Sequence, residues 1–131
     1  MMASILKVDT ITGVSTAGSI AVTGEGNSTT TNLQQGLAKV WCAFDGTGTI
    51  AVRDSFNTAS LTDNGTGTRT VNYTSAIATV EYAVTTSHQE NQVNCCYVGP
   101  TVSSVRVDSR NDAGTYSDID HKTAVAHGDL A

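Results

Sequence analysis

A chain of 131 residues, 15% of them charged and with a formal net charge of −5, has the length of one domain with an appended segment. Its seven basic residues, Lys7, Lys39, Arg53, Arg69, Arg106, Arg110 and Lys122, are scattered, which argues against a phosphate-binding surface and so against nucleic acid as a partner. It lacks the run of about 18 apolar residues that membrane insertion needs, and Met1 to Asp9 lack the charged and apolar regions of a secretion signal.

Residues 1–36 read as an extended arm. Ile5, Leu6 and Val8 suit one short strand and Ile20 to Val22 a second, among Gly13, Gly18, Gly24, Gly26 and the polar run Asn27 to Asn32. The segment has no aromatic residue and cannot build a core alone, so it is expected to pair with another protein. Ile5, Leu6, Val8, Ile11, Ile20 and Val22 are its candidate attachment residues. Asn32 is placed to cap a helical turn that puts Leu33 and Leu37 on one face. From residue 38 the pattern is β. In Lys39 to Phe44, Val40, Cys42 and Phe44 share one face and Lys39, Trp41 and Ala43 the other. A turn at Asp45 to Gly48 leads to a strand over Thr49 to Val52, and a second turn at Asp63 to Gly67 leads to Thr70 to Tyr73. The two turns match at a spacing of 19 residues, Gly46 with Gly65, Gly48 with Gly67 and Val52 with Val71, as a repeated hairpin within one sheet system. Further strands are expected over Thr79 to Thr85, Val93 to Val98 and Ser103 to Asp108; after a turn at Asn111 to Gly114, one or two more lie within Tyr116 to Val125.

Short strands, hairpin turns and no long helix indicate an all-β fold: an antiparallel β-sandwich or jelly-roll-like module over residues 37–131, preceded by the extended arm. Its core formers are few. Val, Ile, Leu and Phe number 14, 6, 5 and 2, about 21% of the chain, while Thr alone contributes 21 residues. Such a thin core implies burial shared with sister copies or a neighbouring protein. Leu33, Leu37 and Trp41 are the candidate oligomer contacts. Three cysteines, Cys42 and the adjacent Cys95 and Cys96, suit folding in a reducing cytoplasm rather than a disulfide framework.

The string Lys39-Val-Trp-Cys-Ala-Phe-Asp-Gly-Thr-Gly-Thr-Ile-Ala-Val-Arg-Asp-Ser-Phe-Asn57, followed by Ser60 to Gly67, Thr70 to Thr74 and Ser104 to Val107, resembles a domain of tail-fibre and other virion structural proteins of bacteriophages, especially marine ones. The likeness covers roughly residues 37–110, and Ala3 to Ile11 look like the attachment arm of the same proteins. It implies a virion location after assembly in the bacterial host cytoplasm, a homotrimer, other virion proteins as partners and no catalysis. The chain departs from the longer fibres in having no shaft, so the expectation is a short tail-fibre-like knob, with a capsid decoration protein as the alternative. A third reading is a host-glycan receptor-binding module using loops around Ser60 to Thr68 or Asn111 to Ser117.

The chemistry-bearing residues are sparse. Asp118, Asp120 and His121 are close in sequence, but the Gly-centred loop and bidentate Glu of a calcium site are missing, and a solvated strand end is the expected reading. A trimer axis bringing together three copies of His121 or His127 would be the one route to a transition-metal site, and no metal or cofactor is assigned. Cys42, Cys95 and Cys96 lack the spacing and number of a zinc set. No nucleophile elbow, zinc-protease or phosphate-loop motif occurs, and Glu81 and Glu90 stand apart, so no catalytic residue is assigned. Trp41, Tyr73, Tyr82, Tyr97 and Tyr116 are expected in the core or an interface, with stacking on sugars as the alternative.

Overall fold

The computed structural model describes residues 5–13, 20–89 and 93–131, with backbone alone at 93–96. The chain forms two compact units, residues 1–36 and 37–131. In the first, β1 (Ala21–Thr23) pairs antiparallel with β2 (Thr30–Asn32), and a single turn of helix, α1 (Leu33–Gly36), follows. The second contains β3 (Ala38–Asp45), β4 (Ala51–Phe56), β5 (Thr58–Asp63), β6 (Thr68–Tyr73), β7 (Ala83–His88), β8 (Val93–Thr101), β9 (Ser104–Asn111) and β10 (Lys122–His127).

In the first unit the Asn32 carboxamide oxygen accepts from the Gln35 amide at 3.1 Å, the expected cap. The amide of Leu33 donates to the Ile20 carbonyl at 2.8 Å, closing the β1–β2 hairpin onto the helical turn. One expectation fails here. Ile5, Leu6 and Val8 form no strand: residues 5–13 are exposed and carry no regular secondary structure. Three apolar residues with no cross-strand partner give their backbone nothing to pair with.

The second unit is an antiparallel β-sandwich. One sheet runs β4-β3-β10-β7, the other β5-β6-β9-β8, and the hairpins β3–β4, β5–β6 and β8–β9 each stay within one sheet. Alternation builds the core between them: Val40, Cys42 and Phe44 from β3 and Ala124 and Ala126 from β10 face Val71 and Tyr73 from β6 and Val105 and Val107 from β9. The link between β6 and β7 adds Ile77 and Tyr82. The Tyr73 and Tyr82 hydroxyls meet at 3.0 Å with the rings edge to face, and the Tyr82 hydroxyl reaches the Thr101 carbonyl at 2.9 Å.

Cationic side chains complete one end of the interior. Arg69 is only 2% exposed and donates to the Gly46 carbonyl at 2.7 Å, to Asp118 at 3.0 Å and to Asp63 at 2.9 Å. Asp118 also accepts from the Gly67 amide at 2.6 Å, so one guanidinium and one carboxylate clasp the two hairpin turns to the segment before β10. Lys122, 1% exposed, donates to the Ser109 hydroxyl at 2.9 Å and lies 5.7 Å from the centre of the Phe44 ring.

Several strand expectations need correction. Lys39 does not share the outer face with Trp41 in the open; it is buried, and its ammonium donates to the Leu37 carbonyl at 2.8 Å. The link from β4 to β5 packs at this point, since Asn57 donates to the Lys39 carbonyl at 3.0 Å. The strand expected over Thr49 to Val52 runs instead from Ala51 to Phe56, and Ser60 to Asp63, expected in a loop, belong to β5. The strand expected from Thr79 starts only at Ala83, because Ile77 bridges Leu130 and the Ala78 amide donates to the Asp129 carbonyl, turning the chain away; Val80 is 47% exposed. The closing strand is β10, and Tyr116 makes only an isolated bridge to Arg110. The 19-residue match is real in the backbone at Gly48 and Gly67, whose φ values are 51° and 69°. The two hairpins nevertheless belong to different sheets, and Val71 is buried where Val52 is exposed.

Candidate functional site

Of the arm's candidate residues, Ile5, Leu6, Val8 and Ile11 lie in the strandless stretch and are 77%, 78%, 53% and 58% exposed. Ile20 is half-buried, and Val22 sits in β1 opposite Thr31, with its side chain largely in solvent. The arm thus presents apolar side chains over residues 5–11 and spends its backbone pairing over residues 21–32.

In the sandwich, the outer face of β4-β3-β10-β7 carries an apolar patch. Trp41 stands opposite Phe56 across one strand boundary and opposite Val125 across the other. Phe56 is 51% exposed, while Trp41 and Val125 are half-buried, and a shallow depression of about 220 Å³ is lined by Trp41, Ala43, Thr123 and Val125. Leu37, also in this unit, is 55% exposed. Leu33 belongs to the first unit, where it is half-buried.

The outer face of the other sheet is different in kind. Asp108 is fully buried and receives two hydrogen bonds from Arg106, at 2.8 and 3.0 Å. Tyr116 covers the carboxylate, its hydroxyl 3.5 Å from Asp108 and 2.6 Å from the Arg110 guanidinium, which also stacks 4.3 Å from the ring centre. Register continues this face onto the neighbouring strands, Thr70 opposite Arg106 and Thr62 opposite Thr70. There the Asn72 amide donates to the Ser60 and Thr62 hydroxyls at 3.1 and 2.9 Å, and the Asn64 amide to the Thr70 hydroxyl at 2.7 Å.

The chain matches no family model, and no curated protein or solved structure is similar to it. Any functional reading therefore rests on these surfaces and on the residues behind them.

The remaining candidates are placed as follows. Asp118 and Asp120 do not share a strand face: Asp118 turns to Arg69 and Gly67, Asp120 to Arg53. His121 accepts from Arg53 at 2.9 Å, and His127 is half-buried at the end of β10. Among the described residues, no group of three or more His, Cys, Asp or Glu is arranged to hold a metal ion, and no helix is long and apolar enough to cross a membrane. Cys42 is buried in the core, and burial pushes its thiol up to about 11 against a smaller opposing effect of a hydrogen bond with Thr58. The side chains of Cys95 and Cys96 and all of Glu90 lie outside the described residues; Glu81 is exposed. Tyr73 and Tyr82 are core residues, whereas Tyr97 and Tyr116 are 45% and 38% exposed.

Sequence reasoning found Trp41 and Tyr116 but not their companions. Phe56 lay beyond the expected end of its strand, and the row from Ser60 to Arg110 lies on strands whose pairing is long-range. The alternation of Arg106 and Asp108 with Val105 and Val107 was the only local sign of that row.

Proposed function

We propose that this chain is a non-enzymatic structural component of a bacteriophage particle, a short tail-fibre-like knob held to the particle by its N-terminal arm. The observation that carries the reading is the exposed apolar strip Ile5, Leu6, Val8 and Ile11 on a stretch with no strand partner of its own. Water-exposed aliphatic residues on unpaired backbone suit docking by strand addition, in which main-chain hydrogen bonds supply affinity and alternate side chains supply fit. The motif string from Lys39 to Val107 supports the choice of a phage particle as the host structure. The apolar patch of Trp41, Phe56 and Val125 supports contact between copies of the sandwich in a homotrimer, which would multiply a weak arm contact through avidity.

The test is deletion of residues 2–30 in a phage that carries this gene. The shortened protein is expected to fold and to be missing from purified particles, as measured by mass spectrometry of the virions. Full incorporation of the shortened protein would refute arm-mediated attachment, and a full-length protein absent from particles would refute the virion reading itself. Immunogold labelling at the tail supports the knob; labelling over the head replaces it with the capsid decoration reading.

A further inference from the structure

A sheet edge is a row of unpaired amides and carbonyls, and proteins whose edges stay apart break such rows with bulges, charges or proline. The sandwich has four edges, β4 and β7 on one sheet, β5 and β8 on the other. Three are broken up. The β3–β4 ladder slips at Ala43 and Phe44, and β4 carries Arg53 and Asp54. The β5–β6 ladder slips between Thr58 and Ser60, and β5 ends on Asp63. The β8–β9 ladder is interrupted between Val98 and Thr101, where Gly99 and Pro100 stand. From the contrast with β7 we infer that this fourth edge pairs antiparallel with the β7 of a second copy, about a two-fold axis near Thr85, so that two four-stranded sheets continue as one of eight. The contact is separate from the Trp41 patch and needs neither the arm nor a particle.

β7 has none of those devices. Its ladder with β10 runs through six pairs, from Lys122 opposite His88 to His127 opposite Ala83, with no shift of register. Ala83 to His88 contain no Asp, Glu, Lys, Arg, Gly or Pro. Among the described residues, their backbone makes no main-chain hydrogen bond outside the sheet. Val84, Thr85 and Thr86 are β-branched and hold the strand extended, so the open side of β7 is a straight, uncharged template for another strand.

The occupant is a second copy because the strand is complementary to itself. A two-fold axis sets β7 against its own reversed sequence. With the axis at Thr85, Thr85 meets Thr85, Val84 meets Thr86 and Ala83 meets Ser87, and each pair shares one face of the joined sheet. Thr beside Thr is a favourable cross-strand pair, and no like charges are opposed although the chain as a whole carries −5. The exposed Ala83, Thr85 and Ser87 are small enough to let the two backbones close to bonding distance. The sheet beneath adds a second reason. Tyr97 of β8 lies opposite the fully buried Val107, on the core-facing side, yet is 45% exposed because β8 too is an edge. β8 packs beside β7, so a copy joined at β7 also covers part of this ring.

Sedimentation equilibrium of the full chain is expected to give two copies, or six where the Trp41 patch also closes a ring of three. Hydrogen exchange at alternate amides of β7 is expected to slow as protein concentration rises. Thr85→Lys places two ammonium groups across the axis at an exposed position and is expected to weaken the pairing about tenfold or more, with the amide spectrum of the sandwich retained. Thr85→Asp is expected to do the same with two carboxylates. An equimolar mixture of the two variants sets opposite charges face to face and is expected to associate again, a rescue that mere damage to the fold would not give. Phe56→Ser, on the patch, is expected to leave the β7 pairing in place, which tells loss of a three-fold contact apart from loss of this one. The proposal is overturned if the full chain sediments as one or three copies between micromolar and millimolar protein, if Thr85→Lys associates as tightly as the parent chain, or if the Thr85→Lys and Thr85→Asp chains stay apart on mixing.

Discussion

Cys42 shows how one residue's burial becomes a pH dependence of the whole. Its thiol sits among Val40, Phe44 and the alanines of β10, and burial raises it from an ordinary 9.0 to about 11. Above pH 9 the unfolded chain releases this proton while the folded chain keeps it. The stabilisation is therefore intact below pH 9 and is lost as pH rises towards 11, a fall of about 3 kcal/mol at 1.36 kcal/mol for each pH unit. Burial raises Tyr73 and Tyr82 as well, and they add to the loss from higher pH. Cys42→Ala is expected to lower stability at neutral pH but to flatten its alkaline decline, read from urea midpoints at about pH 8 and about pH 10.5. An unchanged decline would mean that the thiol is not the group responsible.

At the scale of elements, turns and crossovers carry constraints that packing alone does not. Gly67 has φ +69°, and a Cβ there would meet the Ser109 carbonyl at 2.6 Å and the Ser117 amide at 2.7 Å. Gly48 has φ +51° with open space around it. Gly48→Ala is expected to cost about 1 kcal/mol, the left-handed backbone alone. Gly67→Ala is expected to cost about 3 kcal/mol or more, because the clasp around Asp118 must open; thermal denaturation of the pair separates the two contributions. Asn57, at φ 57° between the sheets, donates to the Lys39 and Ser75 carbonyls and accepts from the Ser75 amide. Asn57→Gly keeps the backbone and loses these bonds, about 2 kcal/mol, and Asn57→Ala is expected to lose about 1 kcal/mol more. Equal urea midpoints for the two variants would remove the backbone argument.

The same elements show what could be read from the sequence. Strands that face the core announce themselves, as in Val40, Cys42 and Phe44 or Val105 and Val107, because burial on one face imposes a period of two. The turns that join β3 to β4 and β5 to β6 were legible at Asp45 to Gly48 and Asp63 to Gly67. Edge strand β5 was not, since Thr58 to Asp63 carry Thr, Ser and Asp on both faces and only Leu61 packs against the core. Nor was the polar row over Thr62, Thr70 and Arg106, which exists because Thr62 meets Thr70 and Thr70 meets Arg106, the second a pairing of residues 36 apart that no local pattern contains.

For the molecule as a whole, the scarcity of bulky aliphatics has a structural counterpart. The sandwich interior is completed at one end by the stems of Arg69 and Lys122, which contribute methylenes to the fold while their charged heads are engaged by Asp118, Gly46 and Ser109. The strand that carries Lys122 has a further consequence. β10 lies between β3 and β7, inside its sheet rather than at an edge. During synthesis β3 and β7 therefore stay unjoined until residues 122–127 clear the ribosome, whereas the sheet β5-β6-β9-β8 has all its strands by Asn111. Closure of the β4-β3-β10-β7 sheet is a late event in the life of the nascent chain, whereas the β1–β2 hairpin, closed by neighbours in sequence, needs no such delay.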